Sequence, residues 1–79
     1  MKITYDLRHN IAYIRLHEKP TKVETLHVSD ELNVDMAPDG TIYGIELLNA
    51  NDQMAKEDGG KLIVVNEALH KSQEIRLAS

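Results

Sequence analysis

Leu32-Asn33-Val34-Asp35-Met36-Ala37-Pro38-Asp39-Gly40-Thr41-Ile42-Tyr43-Gly44-Ile45-Glu46-Leu47-Leu48 decides how this chain folds. Leu32, Val34 and Met36 alternate with Asn33 and Asp35, the period of two that places apolar side chains on one face of a strand. In the Ala37-Pro38-Asp39-Gly40 segment, Pro presets a negative φ, Asp bonds back to the turn backbone, and Gly accepts the left-handed φ that closes the turn. The run from Thr41 to Leu48 then returns as the second strand of a hairpin. Gly44 inside that strand signals a bulge or a close backbone approach, because an alternating strand otherwise gains nothing from a missing side chain.

Working outward, Lys2 to Tyr5 and Ile11 to Leu16 alternate in the same way and predict a hairpin over Asp6 to Asn10, with Pro20 ending the second strand. Lys22 to Val28 reads as an edge strand that bends, and Ser29-Asp30 as its turn. Beyond Asn49 the period changes. Asn51 or Asp52 can cap a short helix through Gln53, Met54, Ala55 and Lys56, which Asp58-Gly59-Gly60 stops. Lys61 to Val65 is an apolar strand; Asn66 to Leu69 reads as a turn of helix and Glu74 to Leu77 as a final strand. The expectation is one α+β domain over residues 1–79, mostly β, in which a small antiparallel meander over 1–50 is followed by a helix and a strand extension over 51–79.

Seventy-nine residues hide only about two-thirds of their unfolded surface. The chain has no Cys, Phe or Trp, so neither disulfides nor thiol chemistry are available and the core must come from Ile, Leu, Val and Met. A sheet this small leaves edges that invite pairing, which predicts a homodimer or larger assembly. No apolar run approaches the roughly 20 residues that cross a bilayer, and the first residues lack the apolar stretch of an export signal. A soluble, cytoplasmic protein without membrane contact is expected.

Charge is segregated. Residues 24 to 58 hold nine acids, Glu24, Asp30, Glu31, Asp35, Asp39, Glu46, Asp52, Glu57 and Asp58, against Lys56 alone, a net charge of −8 in a chain of net −4. A field of one sign repels nucleic acid and attracts a partner rich in Lys and Arg. The expected partner-binding residues are Asp30, Glu31, Asn33, Asp35, Asp39, Glu46 and Asn49, whose carboxylates offer cationic side chains the same charge-assisted bonds as phosphate. The bland alternative is a set of acids that keeps the water-facing side of a sheet soluble.

Met1-Lys2-Ile3-Thr4-Tyr5-Asp6, Ala12-Tyr13-Ile14-Arg15-Leu16, Leu32-Asn33-Val34-Asp35, Asp39-Gly40 and Gly44-Ile45-Glu46-Leu47-Leu48-Asn49-Ala50 resemble, in order and spacing, the YuzE-like small prokaryotic proteins, the domain of unknown function 2283 family. The resemblance covers residues 1 to 50 and implies no enzyme. Asn10 departs from it, standing where an acidic residue is common, so a role resting on that carboxylate does not carry over. The size and charge also resemble the phage-encoded anti-CRISPR proteins, in particular those directed at the type I-C surveillance complex. That resemblance implies an inhibitor in a bacterial host cell that occupies the DNA-recognition surface of the complex.

The chemistry-bearing residues give weaker signals. His9, His17, His27 and His70 lack the spacing of a metal site, although His9 and His27 could meet across strands. Asp35, Asp39 and Gly40 resemble a calcium loop only until Pro38 breaks the spacing. Asp35 and Glu46 flank one turn and can share a face, but paired carboxylates catalyse only in a cleft, and exposed acids that keep a strand soluble are the simpler reading. Ser29, Ser72 and Ser79 lack a nucleophile motif, and Gly59-Gly60 lacks the Lys-Ser or Lys-Thr of a phosphate loop. No catalytic residue, metal or cofactor is assigned. The expectation is a non-enzymatic binding protein. The alternatives are an antitoxin-like partner of a small basic toxin, bound through a strand edge, and a small-ligand or metal enzyme using Glu46 with His27 or His9.

Overall fold

The computed structural model describes residues 1–18 and 22–78. Seven strands and one helix follow in the order β1 (Lys2–Asp6), β2 (Ile11–Arg15), β3 (Glu24–Ser29), β4 (Leu32–Met36), β5 (Ile42–Leu48), α1 (Ala50–Met54), β6 (Lys61–Asn66) and β7 (Lys71–Arg76). The first five form an antiparallel sheet ordered β1-β2-β5-β4-β3, and β6 pairs with β7 in a separate antiparallel hairpin. The mostly β, α+β class expected from the alternation is therefore the architecture found. The order adds something that alternation does not contain: from β2 the chain reaches β3 at the far edge, and the β3-β4-β5 meander then brings β5 back beside β2. Pro20 lies outside the described residues, and β2 ends at Arg15.

Register sorts the side chains into rows. Ile3, Ile14, Ile45, Val34 and Leu26 stand opposite one another across all five strands and make an apolar band on one face. Tyr5, Ala12, Leu47 and Leu32 form the next row of that face. The opposite face carries Thr4, Tyr13, Glu46, Asn33 and His27 in one row and Lys2, Arg15, Gly44, Asp35 and Thr25 in another. A single sheet with one apolar and one polar face is what strict period-two sequences specify.

The helix sits at one end of the apolar face, where Ala12 and Ala50 are 1% and 0% exposed and the Tyr5 hydroxyl donates to Asn51 Oδ1 at 2.5 Å. It begins earlier than the sequence predicts: Asn49 is the N-cap residue, in the left-handed region at φ 55°, and the helix ends at Met54, short of Lys56. Tertiary bonding accounts for the early start. Two amides at the helix start are satisfied from the first hairpin turn, Ala50 donating to the Asn10 carbonyl at 3.1 Å and Asn51 to Asn10 Oδ1 at 2.8 Å. Asn10 itself adopts φ 58°, a conformation that Asn tolerates better than most residues.

The tail also differs from expectation. Residues 67–70 form a turn, not a helical segment, and β7 begins at Lys71. Asn66 Oδ1 accepts from the Leu69 amide at 3.1 Å, and His70 closes the loop at φ 53°. The first hairpin is built on the same plan: Asp6 Oδ1 accepts from the Arg8 and His9 amides, and Asn10 closes the loop with a positive φ. No helix among the described residues is long and apolar enough to cross a membrane.

The turns carry an acid-sensitive contribution to stability. The Thr41 amide donating to Asp39 holds that carboxyl below its ordinary 3.8, and the His9 side chain bonded to Asp6 does the same there. With folded-state values lowered, the unfolded chain binds these protons more readily, so their stabilisation is complete above 3.8 and is lost as pH falls through the lowered values. Thermal unfolding across pH checks this. The melting temperature should fall on the acid side of 3.8, and the Asp6→Asn/Asp39→Asn variant should show a shallower acid limb than the parent.

Candidate functional site on the polar face of the sheet

The polar face is organised around one crossing. Tyr13 on β2 extends over β5 at Gly44 and donates its hydroxyl to Asp35 Oδ2 on β4 at 2.6 Å. A Cβ at Gly44 would overlap the phenol oxygen and the ring carbons that carry it, so the glycine is the seat that lets the ring pass. A bulge lies beside it: Asp35 pairs with Gly44 and Met36 with Ile42, leaving Tyr43 as the extra residue of β5. Both sequence readings of Gly44, bulge and close approach, therefore apply at this place, although the approach is by a side chain.

Asp35 is 8% exposed, and its second oxygen accepts from Thr25 Oγ1 at 2.7 Å. This corrects its reading as an exposed acid. A carboxylate under a tyrosine ring and bonded by two hydroxyls is an internal acceptor, and such bonds to a charged group hold neighbouring strands in place. Glu46 shares the face with Asp35, as expected, but is half-buried and accepts from Asn33 Nδ2 at 2.9 Å. Asn33 Oδ1 in turn faces His27 Nδ1 at 3.0 Å. Between these groups the face holds a depression of about 300 Å³ lined by Tyr13, Thr25, Asp35 and Glu46.

The other expected contact residues lie at the ends of the β4-β5 pair. Asp30 and Glu31 form the β3-β4 turn, with the Asp30 side chain fully exposed and 3.8 Å from His27 Nε2. Asn49 Nδ2 bridges Glu31 Oε2 at 3.4 Å and Asp52 Oδ2 at 3.2 Å, gathering two acids beside that turn. Gln53 Nε2 donates to the Glu31 and Leu48 carbonyls at 2.9 and 2.6 Å and ties the helix to the same corner. Asp39 occupies the β4-β5 turn at the opposite end, donated to by the Thr41 amide at 2.9 Å. The structure thus brings Asp30, Glu31 and Asn49 together at one corner, Asn33, Asp35 and Glu46 on the polar face between, and Asp39 at the far turn.

Of the ion pairs seen among the described residues, Arg15 meets Glu18 at 3.4 Å, and Asp52 meets Lys56, two residues past the end of the helix, at 2.8 Å. The Lys56 ammonium bonded to Asp52 holds that carboxyl below its usual range and is itself raised. His9 and His27 do not meet. The first sits in the β1-β2 turn, paired with Asp6 at 2.7 Å, and the second lies on β3 at the opposite edge of the sheet. Among the described residues, no group of three or more His, Asp or Glu is placed to hold a metal ion.

With this geometry in view, the comparisons with known proteins bear on residues 2–51, which match the family described as protein of unknown function DUF2283. The chain belongs to the DUF2283 family. The match takes in the five-stranded sheet and the start of α1, and stops before the β6-β7 hairpin of this DUF2283 protein. No curated protein and no solved structure matches it.

Tyr13 and Thr25 were not among the expected site residues. The available signal was Gly44: a strand glycine on the same face as an aromatic residue of a neighbouring strand is a place where a ring can cross, but only the pairing of β2 with β5 shows which aromatic residue does so. Two substitutions test the crossing by urea unfolding. Gly44→Ala should cost about 1–3 kcal/mol through overpacking, and less than about 0.5 kcal/mol when Tyr13 is already Ala. Tyr13→Phe should cost about 1–3 kcal/mol by leaving the buried Asp35 carboxylate short of a donor.

Proposed function

We propose that this DUF2283 protein is a non-enzymatic binding protein whose acidic β4-β5 ribbon docks on a cationic protein surface and excludes nucleic acid from it. The observation that carries this reading is the exposed corner where Asn49 bridges Glu31 and Asp52, with Asp30 next to Glu31 in the β3-β4 turn, continuing through Glu46 on the polar face to Asp39 at the far turn. Carboxylates on a paired, twisted ribbon are held at defined spacing, and Arg or Lys side chains meet them with charge-assisted bonds of the kind they make to phosphate. Within this reading Asp35 sets the ribbon's geometry from inside, and the docking contacts fall to Asp30, Glu31, Asn49 and Asp39, with Asn33 and Glu46 beside them.

The partner proposed is the DNA-recognition surface of a type I-C CRISPR surveillance complex, a choice that rests on the resemblance to anti-CRISPR proteins and on the charge. Competition between the purified protein and target DNA for such a complex tests both halves. The parent chain should displace DNA, with potency falling as salt rises from about 0.05 to about 0.5 M. Asp30→Lys/Glu31→Lys, two changes at exposed turn positions, should lose at least about tenfold in potency while keeping the parent's circular dichroism spectrum. A parent chain that leaves DNA bound removes this partner, and a double variant of undiminished potency removes the acidic corner as the docking surface.

A further inference from the structure

The chain exposes more surface than a compact protein of its mass. A monomer of 8.9 kDa typically presents about 4,800 Å², whereas this one presents 5987 Å², an excess of about 1,200 Å². Its radius of gyration is 14.0 Å, against about 11.6 Å for a compact domain of this length. Among the described residues, two surfaces are thinly covered.

The first is the apolar face of the five-stranded sheet. The row Ile3, Ile14, Ile45, Val34 and Leu26 runs from edge to edge, yet among the described residues no large side chain is fully buried, and Leu26 is 40% exposed. The short helix covers the neighbouring row around Ala12 and leaves this one half-open. The second surface is the β6-β7 hairpin. Its base is closed by the Leu77 amide donating to the Gly60 carbonyl at 2.8 Å, and β7 is exposed along its whole length and β6 from Ile63 onward. Register sorts the hairpin's side chains onto two faces. Leu62, Val64 and Ile75 cluster toward the base of one, with Asn66, Lys71 and Gln73 toward its tip, whereas the other mixes Ile63 and Val65 with the Lys61–Glu74 ion pair at 3.4 Å. An isolated two-stranded hairpin is marginal in water and gains independent stability only by packing its apolar face.

We infer that the β6-β7 hairpin is a dimerisation arm: in a two-fold pair of these chains, the Leu62-Val64-Ile75 face of each arm lies on the Ile3-Ile14-Ile45-Val34-Leu26 row of the other chain. The occupant is a second copy because each chain carries both a half-open apolar row and an exposed arm bearing Leu62, Val64 and Ile75, so one symmetric exchange covers both twice and closes the assembly. The area fits, since about 1,200 Å² from each chain exceeds the roughly 800 Å² per partner of a standard interface. This inference is independent of the cationic partner proposed above.

Sedimentation velocity of the full chain tests it. The parent should sediment as a species of about 18 kDa, twice the 8.9 kDa chain, at tens of micromolar. Val64→Lys/Ile75→Lys should be monomeric, because two charges would enter the apolar contact. Val65→Lys, on the opposite face of the same hairpin, should remain dimeric. A monomeric parent, or a Val64→Lys/Ile75→Lys protein that still dimerises, overturns the assignment. Hydrogen exchange of the unaltered chain supplies a readout that needs no variant. Amide protection in β6 and β7 should rise with protein concentration, and concentration-independent exchange there overturns the arm as well.

Discussion

The pairing of β2 with β5 is the constraint on which the rest of the structure depends. Without it the chain is a β1-β2 hairpin and a separate β3-β4-β5 meander, each with an uncovered apolar face and an unpaired edge. The pairing aligns Ile14 with Ile45, which completes the apolar row, and Tyr13 with Glu46, which brings the tyrosine beside Gly44. The Tyr13 hydroxyl then reaches past β5 to Asp35 and links three strands through one side chain. A slip of one residue would turn Tyr13 to the apolar face and Ile14 to the polar one, so register and the buried hydrogen bond enforce each other.

From that pairing follows the position of the helix. Asn10, at the tip of the first hairpin, reaches the start of α1 only because β1-β2 lies next to β5, whose end leads directly into the helix. The same Asn10 stands where the family resemblance implies an acid. Its amide serves two purposes here, accepting from the Asn51 amide through Oδ1 and donating to Asn49 Oδ1 through Nδ2 at 3.3 Å, and a carboxylate would keep only the first. The acidic corner proposed as a docking surface is thus organised by neutral amides, Asn10, Asn49 and Gln53, which hold carboxylates and carbonyls without neutralising them.

The protein also divides its surfaces by chemistry. The polar face of the sheet spends Asp35 internally and leaves acids at the turns, while the opposite face is apolar and thinly covered. A cationic partner and a second copy of the chain would therefore use different sides of one sheet, and both proposals can hold together. With no Phe or Trp the chain lacks the large side chains that fill a small core, so a sheet of Ile, Val and Leu covered by one short helix is left with apolar area to hide.

Alternation alone determined where the strands lie, because period two is a local property: β1, β2, β4 and β5 begin and end within a residue of where apolar and polar positions stop alternating. The Pro38-Asp39-Gly40 turn was equally legible, since its chemistry is contained in four consecutive residues. The start of the last strand was not, because Lys71-Ser72-Gln73 carries no apolar alternation and pairs only because β6 lies beside it. The true start of α1 depends on Asn10, which is 41 residues away from Asn51 in the chain. Asp35 reads as one more surface acid until β2, β5 and β3 bring Tyr13, Gly44 and Thr25 around it. Burial is a property of neighbours in space, so only the tertiary structure could separate Asp35, an internal carboxylate, from the acids at the turns that face water.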